Sequence, residues 1–297
     1  MTSWPSSRRS RPAARCSKAT RPTRQALWKR ARRWAQQGAV IPESFGGAGF
    51  GHLGRDDRRG GQAGAGTDPF GPSVYLATEA LLRSGSPAQQ KSWLPRLADG
   101  SAIGCFAFAE RPGQNAFESV EAKVSGESSS PGTKKLPVGD GDVASLAIVA
   151  AQDGSRVGLH LVDLSTSGVT RTPLESFDPS RSQAKLVFEG AACEPLAGTD
   201  AAAIAKLLDV AAVLQAFEQV SAATRVPRDR EFVLGRCLGK PIAATEGGQA
   251  SPGGPVVSRT ARSNAYYAAW ALSNDNPETI RSRALAPHRR EGRASST

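Results

Sequence analysis

The stretch Ser86–Gly100 reads SPAQQKSWLPRLADG, and the run IGCFAFAE follows it directly as Ile103–Glu110. Serine is a favoured cap and proline a favoured first residue of a helix, so Ser86 and Pro87 mark a helix start. Asp99-Gly100 marks its end, and a β-type run begins at Ile103. The sequence therefore changes from helices to strands near residue 101.

Helical spacing precedes this junction, and strand patterns followed by new helices come after it. Upstream, apolar residues recur at helical spacing from Ser73 to Leu81, and a shorter helical run is possible over Arg24–Trp34. Downstream, long helices are predicted over Asp200–Thr224 and Arg259–Leu272. Between them lie six β-type runs at Ile103–Ala109, Phe117–Val124, Leu146–Ala151, Val157–Val162, Val169–Leu174 and Ala184–Phe188. Segregated layers of this kind predict an α+β fold with an N-terminal helical domain, a central antiparallel β-barrel or sandwich domain, and a partial C-terminal helical bundle.

Basic residues are concentrated at the two ends of the chain. Residues 1–34 hold 11 Lys and Arg and no Asp or Glu, which equals the net charge of the whole chain, +11. The body has no basic patch interleaved with aromatic residues, which argues against nucleic-acid binding. We divide the chain into a basic disordered arm, an N-terminal helical domain, a β domain, a partial helical domain and a basic disordered tail, with bounds at 1–24, 25–101, 102–196, 197–276 and 277–297.

Hydropathy and cysteine usage indicate a reduced, soluble environment. No run approaches the roughly 20 apolar residues that a membrane span needs. The four cysteines are scattered singly, without zinc spacing, as is typical of reduced thiols. A cytoplasmic location and no structural metal are therefore expected.

Five segments together resemble the acyl-CoA dehydrogenase family, in the family's order. They are AVIPESFGGAG at Ala39–Gly49, the two runs quoted first, the hairpin from Gly132 to Gly141, and GRCLGKPIA at Gly235–Ala243. The resemblance implies an FAD cofactor, oxidation of an acyl-CoA thioester between its α and β carbons, and a homo- or hetero-oligomer.

The resemblance also implies flavin contacts. The family's first strand matches Phe106, Phe108, Ala109 and Glu110, although Ala109 replaces a threonine. In the hairpin, Val138 or Gly139 would serve through backbone groups alone. Arg236 fits an arginine that reaches the FAD pyrophosphate, which suits a planar guanidinium. An ordinary core strand and a solvated arginine are the alternative interpretations of these residues.

A catalytic base is not identified. In most family members the glutamate lies well beyond the helix that carries Tyr266, and this chain ends soon after Trp270. In a minority it lies on the first long helix, near Ala211 here. Glu218 is the remaining candidate, and a structural carboxylate within the helix is its alternative role. Among the histidines, none is assigned a catalytic role.

Segments 1–24, 54–69, 225–231, 245–257 and 277–297 lack the family pattern, and we interpret them as frame-shifted translations. The expected function is thus an acyl-CoA dehydrogenase-like flavoprotein with impaired activity. Two alternatives stay open. The chain is a non-catalytic subunit of a hetero-oligomeric acyl-CoA dehydrogenase, or it is a basic-armed scaffold that binds nucleic acid.

Overall fold

The computed structural model describes Trp28 and residues 37–50, 69–114, 117–125, 128–129, 132–154, 156–176, 181–225, 236–237, 240–241 and 254–274. The predicted basic arm and tail, and most of the segments interpreted as frame-shifted, lie outside these residues. Of the predicted run Arg24–Trp34, Trp28 is described, and it is helical.

Five helices longer than one turn are present in the described part of the chain. They are α1 (Gly71–Ala77, π-helical), α2 (Thr78–Ser84), α3 (Pro87–Ala98), α4 (Ala201–Arg225) and α5 (Gly254–Ser273). The predicted cap of α3 is confirmed, because Ser86 accepts from the N–H of Gln89 and the Gln89 side chain accepts from the N–H of Ser86.

The strands form separate open sheets. They are β1 (Gly104–Ala107), β2 (Lys123–Ser125), β3 (Ser128–Ser129), β4 (Thr133–Gly139), β5 (Leu146–Asp153), β6 (Arg156–Asp163), β7 (Val169–Leu174), β8 (Gln183–Phe188), β9 (Glu194–Pro195), β10 (Arg236–Cys237) and β11 (Lys240–Pro241). The first sheet has the order β3-β2-β5-β6-β9 with β1 also paired to β5, the second has the order β4-β8-β7, and β10 pairs with β11.

The α+β class is confirmed, but the antiparallel barrel is not found among the described strands. Strands β1 and β2 both run parallel to β5, so the larger sheet is mixed. The two larger sheets instead share one core, to which β1, β4, β5, β6 and β8 contribute. Strand β7 contains Pro173, which has no N–H to donate and therefore suits the sheet edge where this strand lies.

The predicted strand Phe117–Val124 is wrong over its first part. Phe117–Ser119 is a short 3₁₀ turn, and β2 begins only at Lys123. In the intervening backbone, the Ala122 carbonyl accepts from the Gln152 N–H of β5, whereas the N–H groups of Glu121 and Ala122 bond to a side chain. The Glu110 carboxylate accepts from the N–H groups of Glu121 and Ala122.

Helix α1 lies directly against β1 and carries one wall of the candidate site. The Gly104 N–H donates to Ser73 Oγ at 3.0 Å. A Cβ added at Gly104 would lie 2.5 Å from the Ala77 Cβ, so glycine is required for this close approach. Helix α1 also shares an apolar core with α4 and α5, which fixes α4 across from it.

Candidate functional site

The two segments expected to contact a flavin meet at the junction of β1 and β4. The Leu136 N–H donates to the Ala109 carbonyl at 2.8 Å, and Lys135 Nζ donates to the Phe108 carbonyl at 3.1 Å. The structure therefore brings Phe108, Ala109 and Glu110 beside β4, although 25 residues separate Glu110 from Lys135 along the chain.

Glu110 stabilises this junction through hydrogen bonds to β4 and to the backbone before β2. Its carboxylate accepts from Lys135 Nζ at 2.8 Å and from the backbone N–H groups of Glu121 and Ala122 at 2.9 and 2.7 Å. Burial acts to raise the pKa of Glu110, but these donors outweigh it and hold the pKa below its usual range. Lys135 is fully buried, so the pair is internal. The Glu110 side chain thus stabilises the fold at the position where a contact with the flavin was expected.

Phe106 of β1 and Phe108 just after it pack on one core, and Cys105 and Ala107 pack on the other core, between the sheets. The Phe108 ring stacks on Phe117 with centroids 4.1 Å apart, and Phe106 meets Phe117 edge-on at 6.3 Å. Sequence reasoning missed Phe117 as a neighbour of these rings, because it was assigned to a strand. The Pro112-Gly113 pair before it is a turn signal that predicts the chain reversal.

Val138 and Gly139, the two alternatives in the hairpin, have different environments. The Val138 side chain is fully buried between the sheets. Gly139 lines a cavity of about 240 Å³ between α1, α4 and the start of β8. A Cβ added at Gly139 would lie 3.1 Å from Pro72 Cγ, so this glycine keeps that edge of the cavity open.

This cavity has one apolar and one polar wall. Pro72, Tyr75, Leu76 and Ala211 form the apolar wall, and the polar wall is formed by Asp140, Arg181, Ser182, Gln183 and Gln215. Ala211, where a base would lie in a minority of the family, is therefore a lining residue. An apolar site with a few convergent polar groups is the usual form of a small-molecule pocket.

Glu218 lies one helical turn beyond this lining, on the same face of α4 as Ala211 and Gln215. It is buried and forms an ion pair with Arg181, which lines the cavity. Burial raises the pKa of Glu218 above its usual range, against the lowering effect of Arg181. Its Oε2 atom is buried without a hydrogen-bond partner. Glu218 therefore does not line the cavity itself, but its ion-pair partner Arg181 does.

Among the described lining residues of the cavity, Asp140 supplies the carboxylate. Ser182 Oγ lies 2.9 Å from Asp140 Oδ1 and 2.7 Å from Asp142 Oδ1. The Asp140 backbone has a positive φ of 55°, and its side chain is buried. Asp140 is thus engaged in shaping the turn after β4.

A second cleft of about 460 Å³ is lined in part by Glu110 and is mainly charged. Its lining includes Arg111, Glu121, Lys123 and Lys134, and it lacks an apolar wall. The cavity at Gly139 therefore fits an acyl group better.

Arg236 lies in β10, which pairs with β11 through Arg236 and Pro241. Its side chain is outside the described atoms, so its expected pyrophosphate contact stays a prediction. Across the described ranges, no cluster of three or more His, Cys, Asp or Glu side chains could hold a metal ion. In the same part of the chain, no helix is long and apolar enough to cross a membrane.

Comparison with known proteins finds a family match over about the first third of the chain. Residues 7–101 match the family model for the acyl-CoA dehydrogenase N-terminal domain. The matched span includes segment 54–69 and begins inside the basic arm. Isovaleryl-CoA dehydrogenase of Oryza sativa subsp. japonica is 30% identical over 104 residues, which cover 33% of this chain and 25% of that protein. The sequence match thus spans about a quarter of that relative.

Two solved structures share the fold. Butyryl-CoA dehydrogenase from Megasphaera elsdenii aligns with a TM-score of 0.75 and 19% identity, covering 91% of this chain and 75% of that one. An acyl-CoA dehydrogenase complexed with FAD from Bacillus anthracis aligns with a TM-score of 0.73 and 21% identity, covering 92% of this chain and 52% of that one.

Proposed function

We propose that this chain is a flavoprotein of the acyl-CoA dehydrogenase type, which binds FAD and an acyl-CoA thioester and dehydrogenates the thioester weakly; the family match over residues 7–101 supports this proposal. The observation that carries the proposal is the juxtaposition of three segments. Strand β1 and the hairpin meet at the hydrogen bond between Leu136 and Ala109, and Gly139 opens onto the cavity bounded by α1 and α4.

The residues present fit a flavin at this junction, through backbone groups rather than hydroxyls. The backbone of Phe106–Ala109 and of Val138–Gly139 would hold the ring edge, and Gly139 leaves room beyond it. Arg236 would hold the pyrophosphate. FAD supplies the hydride acceptor when it is bound. Ala109 and Val138 offer no hydroxyl, so FAD is expected to bind less tightly than it would with a threonine at residue 109.

The chain's own residues account for the weak turnover. Dehydrogenation needs a carboxylate that removes the α-proton, and a general base contributes about 10²–10⁴-fold to the rate. In the described lining, the carboxylate of Asp140 has Ser182 Oγ within hydrogen-bond distance, and Glu218 is paired with Arg181. Gln183 and Gln215 can orient the thioester carbonyl at the polar wall. Binding is therefore better supported than proton removal.

The first test is the colour of the purified chain. Expression with added riboflavin should yield protein with the absorption spectrum of bound flavin, released as FAD on denaturation. A colourless chain that takes up no FAD on reconstitution would overturn the proposal.

Restoring a hydroxyl at Ala109 should tighten FAD binding. Ala109→Thr adds one donor beside the expected ring edge, and a hydrogen bond contributes about 0.5–1.5 kcal/mol, or roughly 2- to 13-fold in affinity. Ala109→Val has a similar shape without the hydroxyl and is the matched control. FAD titration by fluorescence quenching should rank the threonine variant first. Equal affinities for the two variants would mean that residue 109 does not face the flavin.

Exposed aromatic residues on α5 favour a second candidate, a subunit that completes a site with a catalytic partner. Trp270 is 46% exposed and Tyr266 is 37% exposed, and the two lie four residues apart on one helix face. Large exposed apolar groups that cluster often mark interaction surfaces.

If the chain forms oligomers through this face of α5, a charged side chain introduced there should weaken the oligomer. Trp270→Lys should shift the chain toward smaller species in light scattering, since it places a charge within the apolar contact. Ser92→Lys, at an exposed position of α3, should leave the distribution unchanged. Identical distributions for both variants would count against an interface at Trp270.

A further inference from the structure

The peptide group between Phe108 and Ala109 is hydrogen-bonded on its carbonyl side. The Phe108 carbonyl accepts from Lys135 Nζ at 3.1 Å, and the following carbonyl, that of Ala109, accepts from the Leu136 N–H at 2.8 Å. Within the described part of the chain, the Ala109 N–H has no acceptor. Ala109 is half-buried, so this backbone donor is available to a ligand that binds at the junction of β1 and β4.

Lys135 places a positive charge at the other end of this peptide group. Its side chain is fully buried, and Nζ also donates to Glu110 Oε1 at 2.8 Å. Burial lowers the pKa of Lys135, and the Glu110 carboxylate opposes that lowering. The ammonium group is thus held between two acceptors, one of which is the Phe108 carbonyl.

A charged donor on a carbonyl strengthens the N–H of the same peptide group. Hydrogen bonds in a chain polarise one another, and a bond from an ionised donor is stronger than one from a neutral donor. Lys135 draws electron density toward the Phe108 oxygen and thereby makes the Ala109 N–H a better donor. The polarisation is larger in a desolvated site than in water, because the local dielectric is lower.

We infer that Lys135 raises the reduction potential of FAD bound at this junction, acting through the peptide group between Phe108 and Ala109. This inference rests on the proposed function, which places the ring edge of FAD on the backbone of Phe106–Ala109. Dehydrogenation delivers a hydride, which carries two electrons and one negative charge. A stronger donor beside the ring therefore favours the reduced form over the oxidised form. Lys135 is a positioning residue, because it acts on the cofactor through this peptide group.

Glu110 opposes the effect of Lys135. Its carboxylate lies 2.8 Å from Lys135 Nζ and offsets part of the positive charge. The N–H groups of Glu121 and Ala122 hold this carboxylate independently of Lys135. Removing the charge of Lys135 and removing that of Glu110 should therefore shift the potential in opposite directions. A purely structural pair would not do so, because a loss of packing weakens the binding of oxidised and reduced FAD alike.

The reduction potential of the FAD-loaded full chain, measured by equilibration with redox dyes, tests this role. Lys135→Met removes the charged donor, so the affinity for reduced relative to oxidised FAD should fall about tenfold, which lowers a two-electron potential by about 30 mV. Glu110→Gln keeps an acceptor for Lys135 and removes the offsetting charge. It should raise the potential at about pH 6, well below the ordinary lysine pKa of about 10.4.

Glu121→Gln is the matched control, because it neutralises a carboxylate that is 80% exposed and screened by solvent. It should leave the potential unchanged. If Lys135→Met does not fold, the double variant Glu110→Leu with Lys135→Met takes its place, since it leaves no buried charge unpaired. The double variant should also have a lowered potential, because the Phe108 carbonyl again loses its donor.

The outcomes of these measurements are distinct. Potentials that stay at the wild-type value in Lys135→Met and Glu110→Gln, or that shift in the same direction in both, would overturn the role of Lys135 and leave the proposed function intact. A wild-type chain that binds no FAD would overturn the proposed function, and the role of Lys135 would fall with it.

Discussion

Replacing Glu110 with alanine is expected to lower the free energy of unfolding by about 3–5 kcal/mol, since it leaves the fully buried Lys135 without a charged partner. The same change removes the acceptor for two backbone N–H groups. Urea denaturation of the wild type and the variant measures the difference directly. The double variant Glu110→Leu with Lys135→Met should recover part of the loss, because it leaves no buried charge unpaired.

Glu121→Ala is the matched control. Glu121 pairs with Arg111 at 3.7 Å, but their side chains are 80% and 61% exposed, and such pairs contribute between about 0 and 1 kcal/mol. A loss for Glu110→Ala no larger than that for Glu121→Ala would contradict the internal role of Glu110.

The stabilisation by Glu110 also has a defined pH dependence. The pKa of Glu110 is lower in the folded chain than in the unfolded chain, where a glutamate has a pKa of about 4.3. Its contribution is therefore fully present above that pH and is lost as the pH falls through the folded pKa. The difference between wild type and Glu110→Ala should shrink accordingly in acid.

Turnover by the purified, FAD-loaded chain is expected to be about 10²–10⁴-fold slower than that of an acyl-CoA dehydrogenase with a base at its site. The reason is that Glu218 is paired with Arg181 and does not line the cavity. An assay with butyryl-CoA and an artificial electron acceptor measures the rate. Glu218→Gln should leave the low rate unchanged.

Rapid turnover that disappears in Glu218→Gln would contradict this expectation and identify Glu218 as the base. Its pKa, which burial raises, would then appear as a raised acid limb in the pH profile of the rate. Rapid turnover retained in Glu218→Gln would place the base elsewhere.

Local patterns in the sequence predict most elements of the fold. Strand β7 has the predicted bounds, and the capped start of α3 is the predicted one, because alternation, Ser-Pro capping and turn residues act within a few positions. The prediction of a strand over Phe117–Val124 is wrong in its first part. The N–H groups of Glu121 and Ala122 bond to the distant Glu110 carboxylate, and no local pattern in the sequence reveals this contact. The parallel pairing of β1 with β5 is likewise set by the tertiary fold.

The candidate site could be predicted only in part. Resemblance places Ala109 and the hairpin near each other, and their hydrogen bond agrees with that proximity. The pairs Glu110–Lys135 and Arg181–Glu218 join residues 25 and 37 positions apart, so they depend on how strands and helices pack. Leu76 reads in the sequence as one more apolar residue of a helix, and its place at the cavity follows from the packing of α1 against α4.

The absorption spectrum of the FAD-loaded chain during titration with butyryl-CoA shows whether the chain holds FAD and an acyl-CoA thioester in one site. We expect FAD to stay bound through gel filtration and its spectrum to change saturably, with one acyl-CoA per chain. Free CoA at the same concentrations should cause no such change. A chain that retains no FAD, or one whose flavin spectrum is indifferent to butyryl-CoA, would contradict this expectation.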